Sequence, residues 1–291
     1  MKHLIRFDWA MKKLLRDKAN YAVLEGFLSE LFKFDITILQ IGESEGNQQV
    51  FNDKFNRVDI LAHTSAGEIV LVELQTDSEL DYFHRMLYGV SKSIVENIKI
   101  GEQYGKIKKM YSVNIVYFQL GQGSDYVYHG KTEFRGLHTN DVLGLSTSQK
   151  ERYKVEKTYE IYPEFYILKI NEFNDIAKDG LDEWIYFFKN NEVKEEFKAK
   201  GLDVVQQKLI VECMSQEDRN AYNAFWENKR YESSMLDGAL SEGITKGKQE
   251  GKQEGRREAI FEVAKNMLSL GMTLEQIASA TGLTQEVLNQ L

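Results

Sequence analysis

The chain has one cysteine and one proline in 291 residues. The single thiol, Cys213, excludes an internal disulfide and any cysteine-based metal site; it suits a reducing cytoplasm and is expected to be buried. The single proline, Pro163, leaves long regular elements uninterrupted. Long apolar runs are missing too, since none approaches the ~20 residues that span a bilayer. The N-terminal MKHLIRFDWAMKKLL has no long apolar core and no small-residue cleavage site, so neither a signal peptide nor a membrane anchor is expected. Positive charge is the minority sign, with 37 Lys plus Arg against 45 Asp plus Glu and a formal net charge of −8. Non-specific affinity for nucleic acid comes mostly from neutralising phosphates, so this balance argues against a protein that coats DNA. An enzyme whose acidic pocket is filled by cations is compatible with it.

What the chain does have is apolar material: 42% hydrophobic and 12% aromatic residues, enough for a substantial core. Its length predicts one large domain with an appendage, or two domains. Residues 4–34 carry helical spacing, first through Ile5, Trp9, Leu14 and Leu15, then through Val23, Leu24, Phe27, Leu28 and Leu31. Asp8, Glu25 and Glu30 among them read as a solvated helix face. The run TILQI then predicts a short strand, followed by a polar loop.

The central stretch is RVDILAHTSAGEIVLVELQ, residues 57–75. Side chains alternate faces along a strand, so Glu73 and Gln75 point the same way. Ser65, Ala66 and Gly67 read as a three-residue hairpin loop whose last position needs left-handed backbone, which glycine supplies. In that register Thr64 faces Glu68, and counting inward sets Asp59 opposite Glu73, about 5 Å away at Cβ. Two opposed carboxylates repel unless a cation lies between them, and oxygen ligands suit a hard ion such as Mg2+ or Mn2+. The residues also allow a second reading, exposed charges on a one-sided sheet; the almost continuously apolar IVLVEL weighs against it.

Beyond the hairpin, Leu80, Phe83, Leu87, Val90, Ile94 and Ile98 predict an amphipathic helix over residues 79–98 with those six side chains inward. Arg85, Tyr88 and Lys92 form a row on its other flank, either solvated or facing a phosphodiester backbone. YSVNIVYF predicts a strand over 111–118, preceded by the basic cluster Lys106, Lys108 and Lys109. Another strand or hairpin is expected from Tyr126 to Arg135, with Lys131 nearby, and a last strand from Pro163. After about residue 172 the pattern turns helical, reaching roughly Leu236. Gly243, Gly247, Gly251 and Gly255 then recur every fourth residue, as a smooth helical stripe or as a flexible linker. The last stretch reads as helix, turn at Gly271, helix capped by Thr273 with Gln276, turn at Gly282 and a short helix. Ala278, Gly282 and Leu288 suit a helix-turn-helix. Its recognition helix carries Gln285, Glu286, Asn289 and Gln290 but no basic residue, which favours partner binding or self-association over sequence-specific DNA readout.

An aspartate in one hairpin strand and Glu-x-Gln in the next, between an N-terminal helix and a following amphipathic helix, resembles the PD-(D/E)XK nuclease superfamily. More closely, the chain resembles the bacterial recombination-promoting nuclease / putative transposase family, through FDWAMKKLL, the hairpin itself, FHRMLYGVSKSIVENIKIGEQY, YSVNIVYF and the glycine-spaced tail ending in EQIASATGL. The resemblance covers nearly the whole chain. It implies an α/β fold with a restriction-endonuclease-like core, a mixed central sheet flanked by helices, and a helical C-terminal extension. The expected division is a nuclease-like domain over 1–172, a helical subdomain over 173–236, a glycine-spaced stalk or linker over 237–258 and a helix-turn-helix-like module over 259–291.

The resemblance further implies a Mg2+- or Mn2+-dependent DNA endonuclease of the transposase-associated type, acting in the cytoplasm on DNA, with a homodimer compatible with a helical stalk. Asp59 and Glu73 would be metal ligands and the Leu74 carbonyl a third. Gln75 would complete the catalytic set, at the position that usually carries lysine. Lysine can activate water and stabilise charge, whereas glutamine only hydrogen-bonds; Arg85 or Lys92 would then supply positive charge. The DNA-contact candidates are Arg57, Arg85, Tyr88 and Lys92. The alternative is a catalytically quiet nuclease fold that acts as a binding module through its C-terminal helices.

Overall fold

The structure is a computed structural model and describes residues 9–10, 17–42, 59–98, 101–210 and 214–290. Val23, Leu24, Phe27, Leu28 and Leu31 form one side of helix α1 (Tyr21–Phe32), and all five are buried. Trp9 is buried too, while Asp8 and Cys213 lie outside the described residues. The acids of α1 are not solvated as expected. Glu25 Oε1 accepts from Ile38 N–H at 2.7 Å and Glu30 Oε1 from Lys200 N–H at 3.2 Å, which satisfies backbone donors on two neighbouring segments.

Next come β1 (Ile38–Gly42), β2 (Ile60–Thr64), β3 (Ile69–Gln75), helix α2 (Tyr82–Glu96), β4 (Met110–Val116), β5 (Val127–Gly130), α3 (Thr147–Tyr153) and β6 (Glu164–Lys169). The six strands make one mixed sheet in the order β1-β2-β3-β4-β6-β5. β3 runs parallel to β4, and β4 to β6; the other pairs are antiparallel. The central β3 and β4 are apolar almost throughout because both faces are covered. One face, with Leu71, Val116, Phe165 and Ile167, packs under Tyr82, Met86 and Val90 of α2. On the other face Phe32 of α1 meets the rings of Tyr111 and Tyr166. Helices α4 (Gly180–Asn190) and α5 (Leu202–Lys208) pack against α1, with Phe27 set among Trp184 and Phe188.

Helix α2 keeps only part of the stripe read from sequence inward, through Val90 and Ile94. Its buried residues are Tyr82, Met86, Gly89, Val90 and Ser93, whereas Leu80, Phe83 and Leu87 are 100%, 52% and 58% exposed. On the inward side Tyr82 finds a polar partner in Asn114, beside the apolar contacts of Met86 and Val90.

Contacts divide the chain into two compact units, Met1–Ser215 and Gln216–Leu291. The second contains one 54-residue helix, α6 (Gln216–Ser269), then α7 (Leu274–Thr281) and α8 (Gln285–Leu288). The four-spaced glycines lie within α6, and nothing stands within 4 Å of where a Cβ would be. Thr273 and Gln276 form the expected reciprocal cap, Gly271 and Gly282 take positive φ, and Ala264, Ile277 and Leu288 close a small core. Among the described residues no helix is long and apolar enough to cross a membrane.

Candidate active site

The hairpin follows the register that its loop dictates. Gly67 turns the chain at φ 85° and Thr64 N–H donates to Glu68 C=O at 3.0 Å. Pairing then runs from His63 with Ile69 to Ile60 with Val72. One step on, Asp59 stands across from Glu73. Asp59 is a bend residue directly before β2 rather than a strand residue, and its carboxylate is fixed by a backbone donor: Oδ2 accepts from Leu74 N–H at 2.8 Å. The Gln75 carbonyl accepts from Tyr117 N–H on the β4 side. Backbone groups alternate sides along a strand, so the Leu74 carbonyl faces the side of Asp59.

Glu73 is 5% exposed. Burial pushes its carboxyl up to about 7; Arg85 opposes the shift, and the charges of Asp59 and Glu79 add to it. Arg85 reaches down from α2 and pairs through Nη2 with Glu73 Oε1, while its Nη1 donates to Glu79 Oε2 at 2.8 Å. The contact with Glu73 is a close, largely buried ion pair. Burial works against the Arg85 charge, but Glu73 and Glu79 prevail and raise its pKa. Parallel pairing sets Asn114 beside Glu73, and Tyr82 donates its hydroxyl to Asn114 Oδ1 at 3.4 Å. Burial, with the Glu73 charge nearby, holds the Tyr82 phenol well above its ordinary pKa.

The sequence candidates divide accordingly. Asp59, Glu73, Leu74, Gln75 and Arg85 meet at the C-terminal end of β3. Tyr88 and Lys92 lie further along α2, where Lys92 pairs with Glu96 at 3.8 Å. Arg57 is outside the described residues. In the basic cluster, Lys109 donates to the carbonyls of Tyr159 and Tyr162 and to Glu164, at 2.7–3.0 Å, which makes it structural. Glu79, Tyr82 and Asn114 were missed. Tyr82 signalled itself only through the helical phase of α2, and Asn114 through being the one amide in an apolar strand.

Two carboxylates and a carbonyl near the C-terminal end of β3 are hard oxygen donors, chemically matched to a small divalent cation with water in its remaining positions. Among the described residues no three His, Cys, Asp or Glu side chains form a cage of their own.

A model of the PD-(D/E)XK nuclease family transposases matches residues 5–239. The chain belongs to this family. A second model, the Rpn/YhgA-like nuclease family C-terminal HTH domain, matches residues 257–291. Comparison with curated proteins gives no match, nor does comparison with solved structures. The hairpin motif thus pointed to the right family, and the mixed six-strand sheet with flanking helices agrees with its fold. A nuclease domain and a helix-turn-helix domain together imply DNA as partner.

Gln75 stands two residues after Glu73, at the end of β3. Its Nε2 donates to the Asp77 carbonyl at 3.2 Å, so the amide is oriented by the loop that follows β3. Among the described residues the side-chain cation paired with Glu73 is Arg85, on the next element.

Proposed function

We propose that the protein is a metal-dependent DNA endonuclease of the transposase-associated, recombination-promoting type, working in the cytoplasm. The observation that carries this reading is the pairing of two acids at the end of β3, Asp59 held by the Leu74 N–H and Glu73 buried against Arg85, with the Asp59 charge acting on it. Asp59, Glu73 and the Leu74 carbonyl would hold Mg2+ or Mn2+. Such an ion, when bound, lowers the pKa of a water and neutralises charge on the leaving oxygen. Gln75 orients the attacking water by hydrogen bonding; as an amide it takes no proton from it. Arg57, Arg85, Tyr88 and Lys92 are the proposed contacts to DNA. Plasmid incubated with the protein and Mg2+ or Mn2+ is expected to be nicked or cut, and Asp59→Ala to abolish this; equal cleavage by the variant would sink the assignment. A homodimer, with one site for each strand, is part of the reading, and sedimentation velocity reports it.

The second reading is a catalytically quiet nuclease fold that binds through its C-terminal helices. Gln75 in the lysine position favours it. Calorimetry showing no divalent-cation binding at millimolar concentration would decide for this reading.

A further inference from the structure

Arg85 joins two carboxylates of unequal exposure. Nη2 is paired with Glu73, whose side chain is 7% exposed, and Nη1 with Glu79, whose side chain is 35% exposed. The guanidinium therefore spans from the buried ligand to the rim of the site. We propose that Arg85 is an exchangeable counter-ion: it neutralises Glu73 until a divalent cation binds between Asp59 and Glu73, then gives up Glu73, stays anchored on Glu79 and turns the freed Nη2 towards a DNA phosphate.

The proposal rests on the metal-nuclease reading and adds a role that the family signature does not contain. A dication and a guanidinium on one buried carboxylate repel at short range, where water screens poorly. Divalent charge on Glu73 takes over the compensation that Arg85 supplies there, so the arginine can be released. Glu79 already holds the other half of the fork at 2.8 Å, so the arginine keeps its charge compensated as it moves. A planar fork is suited to phosphate oxygens and carries the charge that the amide of Gln75 lacks.

Mn2+ titration calorimetry on the full chain without DNA tests this, run at pH 8 in about 1 M salt, where the screening length is about 3 Å and remote charge effects are damped. Arg85→Gln is expected to bind Mn2+ about tenfold more tightly than the unmodified chain, a size typical of coupled neighbours. Glu79→Gln is expected to bind it more weakly, and the double variant to lose the Glu79 effect. Unchanged or weaker binding in Arg85→Gln overturns the exchange while leaving the metal site standing. No binding by either the unmodified chain or Arg85→Gln at millimolar Mn2+ overturns the nuclease reading and the exchange with it. A readout free of substitution is the Arg85 guanidinium resonances of the 15N-arginine-labelled protein. They are expected to shift and broaden as Mg2+ is added, and resonances that stay put overturn the proposal.

Discussion

Glu73 is a buried acid retained at a cost. Its folded pKa of about 7 lies above the ordinary 4.5, with burial as the main cause. The folded state therefore binds this proton more tightly than the unfolded state. Its contribution to stability is fully present below about 4.5 and is lost as pH rises towards 7. Without divalent ions, the unmodified chain is expected to lose about 3 kcal/mol of stability relative to Glu73→Gln between pH 4.5 and pH 8, whatever the loss of the Arg85 partner adds at both ends. Urea denaturation in chelator across that range measures it; an equal gap at both ends would contradict the burial argument. The positions of both acids were legible in the sequence, because loop length and strand alternation fix a hairpin register. The Arg85 contact was less so, since it depends on how α2 is rotated about its own axis.

At the scale of elements, α2 shows where sequence patterning fails. The row Leu80, Phe83, Leu87 has the larger apolar side chains, yet the sheet takes the side with Gly89 and Ser93. Periodicity gives the helix and the inward places of Val90 and Ile94; the Tyr82–Asn114 contact marks the rest of the inward face. Helix α3 is short and lacks an apolar stripe, and its sequence mark is the capping box of Ser146 and Gln149, the same signal as that of Thr273 and Gln276. A glycine pair joins α1 to α5. A Cβ on Gly26 would stand 2.4 Å from the Lys200 carbonyl oxygen and 2.7 Å from Gly201 Cα, and Gly201 itself has φ 88°. These neighbours are backbone and cannot rotate away. Gly26→Ala is thus expected to destabilise the sheet unit by about 1–3 kcal/mol, where an unobstructed helix would gain roughly 1 kcal/mol from the same change. The sign of the shift in urea midpoint decides between them.

At the scale of the whole molecule, the two compact units rest on cores of very different size. The sheet unit buries two layers of helix against six strands, whereas the C-terminal module of the second unit closes around Ala264, Ile277 and Leu288. Truncating a buried isoleucine costs about 2–5 kcal/mol, more than so small a core is expected to spare. Ile277→Ala is therefore expected to abolish hydrogen-exchange protection over residues 273–290 while peptides from β3 and β4 exchange as before. Loss of protection in the strands as well would mean that the units do not fold separately. The overall charge of −8 belongs to this scale too: DNA binding by such a chain relies on local cations and divalent ions, not on a general basic field.

The hydrogen bond from Leu74 N–H to Asp59 gives that aspartate a second employment, since the end of β3 needs an acceptor whether or not any DNA is cut. Asparagine offers an acceptor of nearly the same shape, so Asp59→Asn separates architecture from chemistry more cleanly than removal of the side chain. It also ranks the two acids as markers. Among related chains, an acceptor kept at the position of Asp59 says little about activity, because folding alone would preserve it. A carboxylate kept at the buried position of Glu73, where it weakens the fold, is the trace that selection for catalysis would leave.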